Sequence, residues 1–295
     1  MARPANASTT RGTSPAAPKP ARTPIVTTVA EVRQLTPRMI RIVVVGEGLA
    51  AFPVGEFTDH YVKLQFPPPG AGYEAPFDPK EIKSTRPKSE WHRQRTYTVR
   101  AFDQETNRLT IDFVVHGDRG LAGPWALNAK PGGVLQLIGP GGAYAPEAGA
   151  PWHLMIGDEA AIPAIAASLS RVPAGVPVKA LLEVEDEGDV VELGSPGRLD
   201  LSWIKRRGAG RSPSLLLDAV ATAELPGSHG QVFLHGEAGM VRVVRRHLIL
   251  DRGLPKESLS ATGYWKQTRT EEGWREDKPE WKRQVELDAD GKRAG

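Results

Sequence analysis

The spacing of apolar and polar positions along this chain changes once, near residue 150. From Ile25 to Tyr144 apolar residues come in short alternating or continuous runs: TPIVTTVAEVRQLT, MIRIVVVGEG, DHYVKLQFP, RTYTVRAFD, RLTIDFVVHG and VLQLIGPGG. The runs are rich in β-branched residues and are separated by Gly and Pro turns, which predicts a six-stranded antiparallel barrel. PPPGAGYEAPFDPKEIKSTRPKSEWHR interrupts the series, and its prolines and charges predict a long, mobile surface loop. RGLAGPWALNAK, between the last two strands, reads as a short helix or a loop.

Beyond Pro151 the pattern alternates between strands and helices. WHLMIGDE, VKALLEVED, QVFLHGE and LSATGYW read as strands, and VVEL as one more. AIPAIAASLSRV, SLLLDAVATAEL and MVRVVRRHLILDRG read as helices, LSWIKRRG as a short one. Such alternation predicts a β + α/β chain: the barrel, then a Rossmann-like, mostly parallel sheet with helices on both faces. After Lys266 roughly half the residues are charged, and WREDKPEWKRQVELD predicts a solvated helix. The expected organisation is a tail at 1–24, a barrel domain at 25–148, an α/β domain at 149–265 and a charged extension at 266–295.

Composition narrows the picture. A chain of 295 residues is long enough for two domains with separate cores. The formal charge is +3, but Arg3, Arg11, Lys19 and Arg22 fall in the first 24 residues with no acid among them, so the remainder is nearly neutral. The basic pI is therefore no argument for nucleic acid. The Ala-, Pro-, Ser- and Thr-rich tail cannot form a core and is expected to be disordered. No apolar run reaches spanning length, so no membrane insertion is expected; without a secretory apolar segment, the expected location is cytoplasmic. The absence of cysteine excludes disulfides, thiolate-bound zinc and cysteine-held iron–sulfur clusters. Electron transfer would need an organic cofactor or a non-thiolate metal.

The candidate chemistry begins at Arg95-Thr96-Tyr97-Thr98. On a strand, Arg95 and Tyr97 project to one face, a phosphate-binding fork beside an aromatic plane. The pair suits a flavin nucleotide; an ordinary strand is the alternative. HGDRGLAGPWA holds Gly117, Gly120 and Gly123, which let backbone N–H groups approach an anion, or which simply make a ligand-free turn. GDEAAIP, from Gly157 to Pro163, has the position of a dinucleotide loop but one glycine where the fingerprint has three; an acid-capped turn competes. HGEAGM frees the backbone at another strand end, and Arg242, Arg245 and Arg246 behind it read mostly as a solvated face. Glu183, Glu185 and Asp186 end a strand where acids would accept ribose hydroxyls, pointing to NADH, or they form an acidic surface loop. Lys63 either snorkels to solvent or faces an anionic ligand. Trp265 either covers a flavin or completes the core; Lys266 and Arg269 either hold an acidic ligand or solvate the tail. No histidine pair has metal-ligand spacing, so no metal site is expected.

RTYTVR, DFVVHGDRGLAGPWA, IGDEAAIPAI, HGEAGMVRVVRRHL and GYWKQTRTEEGW, in this order over residues 25–282, resemble the siderophore-interacting protein family of flavin-dependent ferric-siderophore reductases. The resemblance implies a ferredoxin reductase-like fold with FAD as cofactor and electrons from NADH or NADPH, a ferredoxin being a possible donor. It implies reduction of a ferric siderophore, with release of Fe(II), by a monomer whose chemistry is centred on the cofactor, with no catalytic side chain. A general flavin reductase or ferredoxin-linked oxidoreductase on the same fold, or a siderophore-binding flavoprotein without turnover, are the alternatives. The residues it implies for FAD are Arg95, Thr96, Tyr97 and Thr98; His116, Gly117, Asp118, Gly120, Leu121, Ala122 and Trp125; and Asp158, Ala160, Tyr264 and Trp265. Lys63, Lys266 and Arg269 are implied for the siderophore. Ala160 stands where the family often has Thr, which puts one flavin hydrogen bond in question, and Leu121 where Pro is usual.

Overall fold

A computed structural model describes residues 23–53, 55–115, 120–227 and 229–291 of the chain. The first 22 residues, read as a tail, lie outside that description. Seven strands form the first sheet: β1 (Ile25–Thr36), β2 (Met39–Val45), β3 (Tyr61–Phe66), β4 (Arg93–Thr98), β5 (Ala101–Asp103), β6 (Arg108–Val114) and β7 (Val134–Gly141). Their order is β4-β3-β7-β1-β2-β6-β5, and every pairing is antiparallel. RTYTVRAFD, expected as one strand, is two, so the barrel has seven strands. The link between them closes it: Val99 N–H donates to His60 O (2.7 Å) beside β3, and Arg100 N–H to Thr110 O (2.9 Å) in β6. Consecutive residues thus join opposite ends of the sheet around a core that includes Ile42, Val62, Leu64, Leu109, Ile111, Phe113 and Leu137.

Residues 67–92, expected as a long surface loop, are partly regular. They contain α1 (Pro79–Thr85), whose first turn is capped by Asp78 accepting from Lys80 N–H at 2.8 Å. Arg86 bonds Ala71 O (2.6 Å) and Glu90 (2.9 Å), Tyr73 donates to Glu90 O, and buried Gln136 of β7 bonds the Phe77 backbone twice. Polar groups that looked like solvent-facing loop residues satisfy one another instead. RGLAGPWALNAK supplies α2 (Ala122–Asn128).

The second sheet is wholly parallel: β8 (His153–Gly157), β9 (Pro177–Val184), β10 (Arg198–Lys205), β11 (Gln231–Glu237) and β12 (Leu259–Trp265), in the order β10-β9-β8-β11-β12. From β8 the chain runs outward through β9 to β10, then returns to place β11 on the other side of β8. The switch point lies between β8 and β11, where open α/β sheets receive ligands at their carboxyl ends. LSWIKRRG, expected as a helix, instead supplies the end of strand β10 through Lys205, with Arg206 to Gly208 in the turn beyond it. Leu199, Leu201 and Trp203 alternate inward along β10 onto the core, a period of two. VVEL, expected as a strand, lies outside regular structure. Helices α3 (Ile162–Leu169), α4 (Pro213–Thr222) and α5 (Ala238–Leu250) follow the sequence expectation.

The charged end forms α6 (Glu271–Ala289), which is not simply solvated. Trp274, Trp281, Val285 and Ala289 make a buried stripe at helical spacing. Trp281 Nε1 donates to Ala238 O (3.0 Å), and Arg245, only 7% exposed, donates to Val285 O (2.9 Å). Arg242 pairs with Asp288. Two of the three arginines read as a solvated face therefore fasten α6 to α5. No helix among the described residues is long and apolar enough to cross a membrane.

Candidate functional site

The register of β3 and β4 sorts the RTYT residues. Arg95 pairs opposite Leu64 and Tyr97 opposite Val62, while Thr96 pairs opposite Lys63. Cross-strand partners share a face and neighbours alternate. Arg95 and Tyr97 therefore occupy one face, Thr96 and Lys63 the other. The Tyr97 ring packs against Phe113 at a centroid distance of 4.5 Å. Burial pushes its hydroxyl pKa well up, helped by Glu271 and opposed by Arg95. Thr98 is buried and lies close enough to the Tyr264 hydroxyl of β12 to oppose the burial that raises its pKa, so the two sheets meet there. Lys63 makes no ion pair among the described residues, and its face separates it from Arg95 and Tyr97.

His116, Gly117 and Asp118 lie outside the described residues. Gly120 adopts φ +82°, the left-handed region that favours glycine, with open space where a side chain would stand. Leu121 packs on the barrel core and Ala122 is buried. A Cβ on Gly123 would meet only Val115 Cα, at 4.0 Å. The backbone entering α2 is thus open to close approach. Trp125 sits 5.8 Å from Phe66 and 5.6 Å from Phe113, ring to ring. An approachable glycine backbone, an aromatic ring and a cation on the strand face nearby are a donor set that fits an FAD.

At the switch point Asp158 ties three strand ends together. Its carboxylate accepts from Ala160 N–H (3.0 Å), Glu237 N–H (2.9 Å) and Trp265 Nε1 (2.8 Å). Burial pushes its pKa up to about 6, with Arg211 opposing and Glu159 adding to the rise. The Arg211 guanidinium lies 4.8 Å above the Trp265 ring, a cation–π contact. Glu237 caps α5 by accepting from Met240 N–H (2.9 Å) and also accepts from Gln267 N–H (3.1 Å). A small pocket here is lined by Asp158, Glu183, Arg211, Glu237, Met240 and Gln267, among others.

Sequence reasoning missed the buried ion network behind this pocket. Arg206, 4% exposed, bonds Glu159, Glu183 (2.7 Å) and Glu185 (3.0 Å); Arg211 bonds Glu159 (2.6 Å) and stands 3.5 Å from Glu183. Glu183 and Glu185, read as free ribose acceptors or a surface loop, are instead engaged with arginine. Asp186 caps the next turn by accepting from Gly188 N–H (2.9 Å). The missed signal was the Arg206-Arg207 pair at the end of a segment read as a helix. His235, on β11, is 3% exposed, stacks on Phe233 at 3.8 Å, and pairs Nε2 with Ser260 (3.0 Å). Burial, with Lys278 nearby, lowers its pKa to about 3, so the ring is neutral.

The turn after β12 carries Lys266 and Arg269, and both meet α6. Asp277 lies 3.4 Å from Lys266 Nζ and 2.7 Å from Arg269 Nε. Glu272 of the same helix takes Arg95, at 2.5 and 3.3 Å. Three cations predicted for cofactor or ligand thus gather along the first turns of α6.

Comparison with known proteins agrees with this layout. The profile described as "Siderophore-interacting FAD-binding domain" matches residues 28–144, and that described as "Siderophore-interacting protein" matches residues 150–268. An uncharacterized protein of Mycobacterium tuberculosis is 37% identical over 87% of this chain and 94% of its own length. The ferric vibriobactin reductase ViuB of Vibrio cholerae is 33% identical over 83% of this chain and 90% of its own. The crystal structure of the siderophore-interacting protein SipS from Aeromonas hydrophila superposes with a TM-score of 0.74 at 28% identity, covering 88% of this chain and 98% of that one. A ferredoxin NADP+ reductase from Neisseria gonorrhoeae with FAD and NADP bound shares the fold, with a TM-score of 0.57 at 14% identity, covering 82% and 98%.

Proposed function

This chain belongs to the siderophore-interacting protein family, and we propose that it reduces ferric siderophores with electrons from a nicotinamide nucleotide. The observation that carries the reading is the meeting of the RTYT strand with the end of β12. Thr98 lies beside the Tyr264 hydroxyl, the next residue Trp265 is held by Asp158, and the basic turn at Lys266 and Arg269 follows at once. When bound, FAD supplies the redox chemistry, accepting a hydride and giving up electrons singly to ferric iron.

The protein's share is binding and positioning. Arg95 holds a phosphate of the cofactor through its two-pronged guanidinium. Tyr97, braced by Phe113, lies against the flat ring, and the Gly120–Gly123 backbone receives the pyrophosphate. Tyr264 and Trp265 keep water from the junction between the sheets. Lys266 and Arg269 attract an anionic ferric chelate to its mouth. No side chain needs to act as an acid or base, so the rate depends on distance and local charge.

The carboxyl ends of the parallel strands at the switch point receive the donor, NADH or NADPH. Glu183 there is already engaged by Arg206 and Arg211, and Asp158 and Glu237 already accept from neighbouring N–H groups, so these acids do not by themselves select between the two nucleotides. The test is the visible spectrum of the purified protein under anaerobic conditions. NADH or NADPH should bleach a flavin band. A ferric siderophore should then restore it while a chromogenic chelator traps Fe(II). A flavin band that neither nucleotide bleaches would overturn the reading.

A further inference from the structure

We propose that Asp277 tunes which ferric chelates this site accepts, weakening its hold on those with high negative charge. The inference rests on the ferric-siderophore reading above. Its basis is a three-charge cluster fixed by the fold. β12 ends at Trp265, and a tight turn follows, closed by Arg269 N–H donating to Lys266 O at 3.1 Å with Thr268 at φ +66°. Thr270 then caps α6, accepting from Gly273 N–H at 3.1 Å. The turn brings both cations back toward α6, where one carboxylate serves the two: Asp277 Oδ2 is 3.4 Å from Lys266 Nζ and 2.7 Å from Arg269 Nε, and Oδ1 is 3.3 Å from Arg269 Nη2.

The surrounding charges are already engaged elsewhere. Glu272 pairs with Arg95, Glu271 lies 3.5 Å from Arg275, and Lys278 donates to Gly263 O at 2.9 Å. The basic turn therefore presents one net positive charge rather than two. Both cations stay accessible, with side chains 40% and 51% exposed, so a ligand can reach them. It must share them with Asp277. A neutral tris-hydroxamate chelate has little to lose by that. A trianionic tris-catecholate chelate meets a fixed carboxylate beside its two best contacts, and the repulsion scales with its charge.

The helix does not need Asp277 for its packing, which runs through Trp274, Trp281, Val285 and Ala289. Asp277→Asn keeps shape and removes the charge; Asp277→Glu keeps the charge. Steady-state reduction of a trianionic ferric tris-catecholate and a neutral ferric tris-hydroxamate gives the rates. The redox-inert gallium chelates, titrated against tryptophan fluorescence, give binding without turnover. For D277N the expected result is a KM and Kd about fivefold lower for the trianion, with the neutral chelate unchanged. The gain should shrink in 0.5 M salt, where the screening length is only a few ångströms, and D277E should match the unsubstituted protein. Parallel shifts for both chelates, no shift for either, or a D277E that behaves like D277N would overturn the inference. An unsubstituted protein that reduces neither chelate would overturn the ferric-siderophore reading itself.

Discussion

Arg95 of β4 and Glu272 of α6 form a two-point ion pair between residues 177 positions apart, Nη1 to Oε1 at 2.5 Å and Nη2 to Oε2 at 3.3 Å. The guanidinium assigned to a cofactor phosphate is thus already engaged, by a carboxylate that remains partly exposed. Glu272→Gln should leave Arg95 free for the phosphate and tighten FAD binding by about threefold. Arg95→Ala should weaken it by about tenfold or more, the usual worth of a charge-assisted bond. Titration of apoprotein with FAD, followed by flavin fluorescence, measures both. Weaker binding in E272Q would mean that Glu272 orients Arg95 for the cofactor rather than competing with it.

Arg206 is the most heavily engaged cation of the buried network, with three carboxylates around a side chain that is 2% exposed. Removing one partner from such a group leaves the others uncompensated. Arg206→Met should cost about 3–5 kcal/mol of stability, read as a lower urea midpoint. A loss below about 1 kcal/mol would show that Arg211 alone suffices for Glu159 and Glu183.

His235 and Asp158 give stability opposite dependences on pH. The His235 ring is held neutral down to about pH 3, whereas an unfolded histidine takes up a proton near 6.5. Its contribution is therefore complete above pH 6.5 and falls by about 1.4 kcal/mol per unit on acidification below that. Asp158 keeps its proton up to about pH 6, above the ordinary carboxyl value of 3.8, so its contribution rises as pH falls from 6 toward 4. In that shared window the two slopes offset. His235→Gln removes the first and leaves the second. The Tm difference between H235Q and the unsubstituted protein should move steadily in favour of H235Q as pH drops from 6.5 to 4.5. A difference that does not vary with pH would contradict the assignment.

Trp281 fills the seam between α5 and α6, meeting Trp274 edge to face at 5.5 Å. Trp281→Ala should destabilise the chain by about 3–5 kcal/mol and speed hydrogen exchange across α6 while the barrel amides stay protected. Equal loss of protection in both sheets would mean that α6 does not open separately.

Much of this molecule was readable from its spacing of residues. The β-branched runs, the alternation after Pro151 and the shared face of Arg95 and Tyr97 depend on local periodicity, which a strand or helix preserves. LSWIKRRG was misread because its basic end masked Leu199, Leu201 and Trp203 at intervals of two. The α6 stripe was also present in the sequence, but charges between Trp274 and Trp281 hid it from a composition-based reading. The network of Glu159, Glu183, Arg206 and Arg211 was not legible, because only the parallel sheet brings three separate strand ends together. Likewise Lys63 and Thr96 have no local mark of their shared face; the β3–β4 register assigns it.

The barrel is complete at Gly141, while the helix that engages Arg95 begins at Glu271. On a ribosome the first sheet can close long before its ion-pair partner emerges. The Arg95–Glu272 contact, 177 positions apart, must wait for the whole second sheet to be synthesised. A chain truncated before α6 would contain every strand sequence of both sheets, but it would lose Trp274, Trp281 and Val285 from the second core together with the carboxylates that set the charge at the junction.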